Sequence, residues 1–389
     1  METRSSIALR RDFLLLAFLL FLVEFARGAF IYAFLPVYGQ QVMGLNVAVV
    51  GLAITAHSLV DLFGKSLGGV LLDHLPVRLV VGGSMVLAFL GLMGVTVIHT
   101  SFSLILSASL FGFGISPVWL VGMSRVEERF RSTQMGLLYS FWLIGTGLGM
   151  ILTNFLLDNK FKQPLVIVII VWVVGMVLSF TIRDVEHAHY RTPSLRAQLR
   201  ALRRQVRDMR PLLPGMLLQT LAAGMLLPVF PDFVSKHLGL TYTTYSYMII
   251  VGGGLAMLGL LPMGRLADHY GKKWFLVMGF LALALALYMA PFAKTLWTAV
   301  AIAASLGIAY ASVLPSWNAL LAQYVPKEYK GIGWGLFSSI EGLGVLIGPS
   351  LGGFLALHTS SMVTVRLAAT SLLIIALYYA FAPVRFEET

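Results

Sequence analysis

Residues 264–273 read GRLADHYGKK, and a shorter version of the same pattern, GVLLDH, occupies residues 69–74. Each stretch ends a long apolar segment, and the two aspartates lie 195 positions apart. Further matches at shifts of 195 to 199 positions pair LP at 35–36 with FP at 230–231, PVW at 117–119 with PSW at 315–317, and GLLYS at 136–140 with GLFSS at 335–339. Several matches at nearly one shift indicate that the chain consists of two halves built on one plan.

The composition indicates that lipid surrounds both halves. Hydrophobic residues make up 58% of the 389 residues, and charged residues only 12%, against about a quarter in a soluble protein. Apolar segments long enough to cross about 30 Å of hydrocarbon recur at 13–37, 47–72, 77–98, 103–124, 134–157, 164–182, 211–235, 242–267, 274–293, 296–322, 332–357 and 362–382. The alternation of a membrane barrel is absent. We therefore predict an all-α membrane protein with 12 transmembrane helices in two pseudo-symmetric six-helix halves.

The polar segments predict the domain organisation and the topology. Residues 1–182 and 211–389 form the two six-helix bundles, and the basic segment 183–210 joins them. Basic residues concentrate in the segments that share a side with both termini, which predicts that both termini are cytoplasmic. Leucine or valine at 195, 199, 202 and 206 favours a basic amphipathic helix on the inner leaflet, with a solvated tether as the alternative.

The remaining basic residues raise two further questions. Arg4, Arg10 and Arg11 before an apolar run are also typical of a secretory signal peptide. The same apolar segment continues through Glu24 and Arg27 without a convincing cleavage site, which favours an uncleaved helix. The net charge of +11 does not indicate a nucleic-acid partner, because the basic residues lie in short segments between the apolar runs.

The two loop stretches resemble the major facilitator superfamily over the whole chain. The resemblance implies two six-helix bundles that alternate access to a cavity at the membrane midplane, and an inner gate motif. Its residues are Gly264, Asp268, Gly271, Lys272 and Lys273, with Asp73 as the first-half counterpart. The first-half loop lacks the glycine and the basic run, so the intact motif lies in the second half. GVLIGPSLGG at 344–353 resembles the family's glycine–proline helix motif, and its counterpart GTGLG at 145–149 lacks the proline.

Charged residues inside the apolar segments are candidates for function, because lipid penalises them by about 3 kcal/mol each on insertion scales. Glu24 and Arg27 lie three positions apart in the first span, and His57, Asp61 and Lys65 lie four apart in the second, so each set shares one helix face. A carboxylate beside a cation can exchange protons when its neighbour moves, which makes Glu24 and Asp61 the leading proton-coupling candidates. His57 ranks below them, and two self-neutralising packing pairs are the alternative.

The second half does not repeat these charges. At the repeat shift, Glu24 corresponds to Gln219 and Asp61 to Ala256. Glu341 is the exception; it matches Trp142 and is either a further coupling acid or a hydrogen-bonding group between helices. We therefore expect one polar and one mostly apolar cavity wall.

Two tryptophans complete the polar half. Trp119 and Trp142 lie inside the fourth and fifth spans rather than at their ends. An aromatic ring beside polar groups is a common surface for sugar stacking, and ordinary helix packing is the alternative.

The set of Glu24, Arg27, Asp61, Trp119 and Trp142 resembles, in residue type and order, the headgroup pocket of the Gram-positive flippases that supply the glycolipid anchor of lipoteichoic acid. The resemblance implies proton antiport of a diacylglycerol that bears two sugars across a bacterial cell membrane. The predicted substrate-binding residues are Glu24, Arg27, Asp61, Lys65, Trp119, Trp142 and Gln219. The expected partners are membrane lipids, the glycolipid and protons, with the chain acting as a monomer.

The competing functions differ in the residues that they require. A proton-coupled multidrug exporter for lipophilic compounds would also use membrane-embedded acids, although Arg27 and Lys65 disfavour cationic substrates. A receptor or scaffold would not need buried charges or two matched halves. An enzyme would need a nucleophile or a metal cluster, and the sequence has no cysteine, no HExxH and no GxSxG. We therefore predict a transporter without a cofactor or a metal site.

Overall fold

The structure is a computed structural model that describes residues 2–97, 99–125, 131–159, 164–182, 207, 209–324 and 330–381. It divides into two compact units, Met1–Ala188 and His189–Thr389, which we name the N-terminal unit and the C-terminal unit. The amphipathic helix predicted around 195–206 lies outside the described residues.

The N-terminal unit begins with a helix that changes its hydrogen-bond register. Helix α1 passes into a π-helical segment, in which each turn holds one extra residue, and then into α2. Asn46 begins the next helix by accepting a hydrogen bond from the Val49 amide at 3.0 Å, and Thr100 and Ser103 form a capping box. The elements are α1 (Glu2–Arg27), the π segment (Gly28–Phe34), α2 (Leu35–Gln41), α3 (Val47–His74), α4 (Val77–Val97), α5 (Ser101–Ser124), α6 (Arg131–Asp158) and α7 (Pro164–Ser179).

The C-terminal unit repeats this plan, with a sharper break in its first span. Two helical pieces on either side of residues 227–229 are bent by 50°, where Pro228 and Pro231 interrupt the helix. The elements are α8 (Leu213–Leu226), α9 (Phe230–Asp232), a second π segment (Phe233–His237), α10 (Tyr242–Tyr270), α11 (Lys272–Met289), α12 (Leu296–Gln323), α13 (Lys330–His358) and α14 (Ser361–Phe381).

Helices occupy all twelve predicted spans within the described residues. Ten are long and apolar enough to cross a membrane, and the bent pair Arg210–Leu226 and Phe230–His237 gives an eleventh. The sixth predicted span corresponds to Pro164–Ser179, an apolar helix of 16 residues. The first span is helical from Arg11 to Gln41, through Glu24 and Arg27. The all-helical membrane fold is therefore confirmed.

A seam of glycines brings α6 into backbone contact with the first span. A methyl group on Gly145 would lie 2.6 Å from the Phe21 carbonyl oxygen, and one on Gly149 would overlap the Phe25 carbonyl. Gly28, at the start of the π segment, lies directly against the Thr146 carbonyl. Small residues allow such close approach between membrane helices, so the seam fixes the position of α6 relative to the first span.

The C-terminal unit has the same seam between α8 and α13. Gly344 lies against the Leu217 carbonyl, Thr220 Oγ1 and the Leu221 amide, and Gly348 lies against Gly224. The first-unit counterpart, Gly145, lies against the Phe21 carbonyl, Glu24 Cβ and the Phe25 amide. The two units therefore share one packing scheme.

We expect Gly149→Ala to lower the free energy of unfolding by about 1–3 kcal/mol, since the added methyl group would overlap the Phe25 backbone. Gly147→Ala is the matched control, because a methyl group there would meet no other helix of the described residues within 4 Å. Thermal unfolding of the two purified variants in the same detergent measures the difference. Equal unfolding temperatures would contradict the seam.

Candidate functional site

Four charged side chains form one connected chain across the first two spans of the N-terminal unit. Arg27 Nη2 lies 3.3 Å from Glu24 Oε1 and 3.9 Å from Asp61 Oδ2. Lys65 Nζ donates to the same Asp61 oxygen at 2.8 Å. The helical spacings predicted Glu24 with Arg27 and Asp61 with Lys65; the bridge from Arg27 to Asp61 joins the two pairs. Two acids and two bases balance, which lowers the cost of burying them.

Two atoms of these four charged side chains lack hydrogen-bond partners among the described residues. They are Arg27 Nε and Asp61 Oδ1, and both are buried. One is a donor and the other an acceptor. Buried polar atoms without partners are rare in folded proteins and each one calls for an explanation.

Thr146 is a member of this site that the sequence reasoning missed. Its hydroxyl is within hydrogen-bond distance of Glu24 Oε2, at 3.2 Å, and of the Trp142 carbonyl one turn earlier on α6, at 2.9 Å. The glycines on either side of it, Gly145 and Gly147, gave only a packing signal in the sequence. The seam brings the hydroxyl to the carboxylate.

The two predicted tryptophans are connected through a third ring. The Tyr139 ring makes an edge contact with Trp119 at 5.4 Å between centroids and another with Trp142 at 6.5 Å. Trp119 is half-buried, whereas Trp142 and Tyr139 are exposed. Tyr139 precedes Trp142 by three residues on α6, so helical spacing could have identified it. The aromatic surface therefore spans α5 and α6.

His57 lies on the predicted face of α3 but is turned toward α5. Its Nδ1 lies 3.2 Å from the Ala108 carbonyl oxygen, and its ring stacks on Phe111 at 5.8 Å. Because a carbonyl only accepts, Nδ1 carries the hydrogen in this contact. The imidazole is thus held against α5 and is 2% exposed.

Glu341 is the acid of the C-terminal unit, and neutral groups hold it. Its Oε1 accepts hydrogen bonds from Gln219 Nε2 at 3.1 Å and from Trp317 Nε1 at 2.9 Å. No lysine, arginine or histidine of the described residues lies within ion-pair distance of this carboxylate. Trp317 was not predicted as a site residue, although it is the repeat counterpart of Trp119. Its ring packs on Phe280 and Tyr379 in the core of the unit.

The glycine contacts correct one predicted correspondence between the halves. Glu24 Cβ lies against Gly145 as Thr220 lies against Gly344, so Glu24 corresponds to Thr220 rather than to Gln219. The sequence shift misplaced the pair by one residue, because the match at 35–36 and 230–231 lies beyond the π segment of the first span and beyond the bend of the seventh.

The second span keeps the shift of 195 positions. Gly112 lies against the His57 carbonyl as Gly307 lies against the Gly252 carbonyl. Asp61 therefore corresponds to Ala256, as the sequence predicted.

The loop motif of the C-terminal unit has a local structural reason. Gly271 has a φ of 102°, a conformation that favours glycine, and it separates α10 from α11. Lys272 Nζ lies 3.4 Å from Asp268 Oδ1, and Gly264 lies against Pro315. In the N-terminal unit, α3 ends at His74 before Leu75 and Pro76, without such a glycine. The side chain of Asp73 lies outside the described residues.

Comparisons with known proteins agree with this architecture. A Staphylococcus aureus protein named proton-coupled antiporter flippase LtaA is 30% identical over 380 residues, which cover 96% of each chain. Among solved structures, the nucleoside transporter NupG has a TM-score of 0.73 at 15% identity, covering 95% of this chain and 98% of that one. A D-xylose–proton symporter has a TM-score of 0.72 at 14% identity, covering 97% of this chain and 98% of that one.

The sequence profile of the Major Facilitator Superfamily matches residues 16–217 and again residues 212–389. The first match covers the N-terminal unit from residue 16 and extends into the C-terminal unit, and the second covers the rest of the C-terminal unit. This protein is a multi-pass membrane transporter of the Major Facilitator Superfamily.

Proposed function

We propose that this protein is a proton-coupled flippase that moves a glycolipid, a diacylglycerol bearing two sugars, across the bacterial cell membrane. The observation that carries the proposal is the buried pair of unpartnered atoms, Arg27 Nε and Asp61 Oδ1. A sugar hydroxyl donates and accepts at once, so it has the chemistry that a donor and an acceptor without partners require. Each of the exposed rings, Trp142 and Tyr139, offers a flat apolar face for a sugar ring.

The difference between the units supports an amphipathic substrate. The N-terminal unit has four charged side chains within its first two membrane spans. The C-terminal unit has Thr220 and Ala256 at the positions of Glu24 and Asp61. Leu258 and Leu261, on the same helix as Ala256, are largely exposed. Sugars would meet the N-terminal unit, and acyl chains would lie along the apolar residues around 219–227 and 252–261.

The ion-pair chain supports proton coupling. Arg27 contacts both Glu24 and Asp61, so a sugar that competes for Arg27 weakens the hold on both carboxylates. A carboxylate that loses its cation in a low dielectric takes up a proton. Glu24 and Asp61 are therefore the proposed coupling acids, and the S. aureus relative bears the name of a proton-coupled antiporter flippase.

The proposed topology follows the positive-inside rule. The intact loop motif ends in Lys272 and Lys273 and would lie on the cytoplasmic side, with both termini. The chain would act as a monomer, with the proton gradient as its energy source and no cofactor.

One observation favours the second candidate, a proton-coupled exporter of lipophilic cations. Glu341 is a carboxylate without a cationic partner among the described residues, and it lies beside the Trp317 indole. An anion beside an aromatic ring attracts a lipophilic cation.

Reconstitution tests the proposal directly. The purified protein is placed in liposomes with a fluorescent diglucosyl diacylglycerol, and the lipid that changes leaflet is measured with and without a proton gradient. We expect flipping that the gradient accelerates. Efflux of a lipophilic cation without flipping of the glycolipid would favour the exporter.

We expect Glu24→Gln and Asp61→Asn each to abolish gradient-driven flipping, because an amide keeps the shape of the side chain but carries no exchangeable acid proton. Asp232→Asn is the matched control; Asp232 forms the same type of pair, with Lys236 four residues later at 2.6 Å. The liposome assay measures all three variants. Wild-type proton dependence in both test variants would move the coupling to Glu341 or His57, which Glu341→Gln and His57→Gln then distinguish.

We expect Ala256→Asp to lower glycolipid flipping severely, since an acyl chain would have to pass an acid that costs about 3 kcal/mol at membrane depth. The same change should leave unaltered or improve the efflux of a lipophilic cation, which the new carboxylate attracts. Ala256→Leu, which adds bulk without charge, is the control. Retained flipping together with improved cation efflux would contradict the glycolipid assignment.

A further inference from the structure

The Thr146 hydroxyl has two acceptors within reach but only one hydrogen to donate. Glu24 Oε2 lies 3.2 Å away on the first span, and the Trp142 carbonyl oxygen lies 2.9 Å away on α6. A hydroxyl donates one hydrogen bond and accepts up to two. The single hydrogen cannot make a full hydrogen bond to each oxygen, so the two acceptors compete for it.

The two protonation states of Glu24 each match one arrangement. When Glu24 is ionised, it can only accept, so Thr146 donates to Oε2 in a charge-assisted bond. When a proton binds Oε2, the new O–H donates to the Thr146 oxygen, and the threonine hydrogen turns to the Trp142 carbonyl. Oε1 stays with Arg27, 3.3 Å away, in both states. Both arrangements use atoms already within hydrogen-bond distance.

We propose that Thr146 is a positioning residue that reverses its hydrogen bond when Glu24 gains a proton and so transmits the proton state of the first span to the turn of α6 that bears Trp142. This inference rests on the proposed proton-coupled flipping. A threonine that bonds to the carbonyl four residues earlier bends its helix slightly. Proton binding would thereby adjust the turn that presents Trp142 to the substrate.

The charged surroundings of Glu24 are fully accounted for among the described residues. Arg27 and Tyr32 lie on the same span, and Asp61 and Lys65 lie on α3. The neighbouring helices α5 and α7 contain no acidic or basic residue. On α6, Thr146 is thus the polar side chain that contacts Glu24.

The glycine seam makes this contact a fixed one. Gly145 lies against Glu24 Cβ, and Gly28 lies against the Thr146 carbonyl. The backbones on either side of the hydrogen bond are therefore in contact, and neither helix can move away from the other without opening the seam. A reversal of one hydroxyl needs no backbone movement of this kind, so it can follow each proton.

Infrared difference spectroscopy of the purified protein, between neutral and acidic pH, tests this reversal of the Thr146 hydrogen bond without substrate. We call the reversal the relay. The carbonyl band that Glu24→Gln removes belongs to protonated Glu24. We expect Thr146→Val, which has the same shape but no hydroxyl, to move this band to higher wavenumber, because the carboxyl O–H loses its acceptor. Thr146→Ser, which keeps the hydroxyl, should leave the band at its wild-type wavenumber. Thr153→Val is the control, a buried threonine two turns later on α6.

The relay is overturned if the Glu24 band stays in place in Thr146→Val. It is also overturned if Glu24→Gln removes no band from the difference spectrum. In liposomes we expect Thr146→Val to lower gradient-driven flipping about tenfold, the effect of losing one hydrogen bond to a charged group, and Thr146→Ser to retain it. A moved band with wild-type flipping overturns the coupling role. If the wild type flips no glycolipid, the proposed function fails, and the infrared result alone decides on the relay.

Discussion

The arginine between two carboxylates sets the conditions for the rest of the N-terminal unit. At the depth of the first two spans, an unpaired Glu24 or Asp61 would cost several kcal/mol. The guanidinium of Arg27 contacts both acids, and Lys65 adds the second positive charge that balances them. The group is neutral as a whole, and the contact between Arg27 and Asp61 joins the pair on the first span to the pair on α3. Removal of Arg27 would therefore leave Glu24 without a cationic partner and Asp61 with Lys65 alone among the described residues.

The glycine seams provide the rigid part of this arrangement. Gly145 and Gly149 hold α6 against the first span, and Gly344 and Gly348 do the same for α13 and α8. The two seams use equivalent backbone atoms, so the internal repeat is a repeat of packing. The chemistry at the seam differs, since Glu24 stands where the second unit has Thr220. The same scaffold thus carries a charged site in one unit and a hydroxyl in the other.

The sequence predicted what depends on one helix and missed what depends on two. Glu24 with Arg27, and Asp61 with Lys65, follow from the three- and four-residue spacing of a helix, and both contacts occur in the structure. The bridge from Arg27 to Asp61 and the contact of Thr146 with Glu24 join different helices, and periodicity contains no information about the distance between helices. The one-residue error at Gln219 arose within one span, because a shift read at 35–36 does not fix the register on the other side of the π segment Gly28–Phe34.

The acids of the two units also differ in how they are stabilised, which bears on which acid suits proton coupling. In the N-terminal unit, cations hold the carboxylates, so in the proposed mechanism a substrate that competes for Arg27 would change their affinity for protons. Glu341 is held by the side chains of Gln219 and Trp317, whose N–H groups donate whether or not the acid is charged. Glu341 Oε1 accepts both hydrogen bonds, so a proton would bind Oε2 without breaking either of them. Glu341 would therefore gain a proton without a change in its partners, whereas a proton on Glu24 Oε2 would reverse the hydrogen bond with Thr146. The proposed coupling requires an acid of the latter kind, whose contacts change when it gains a proton.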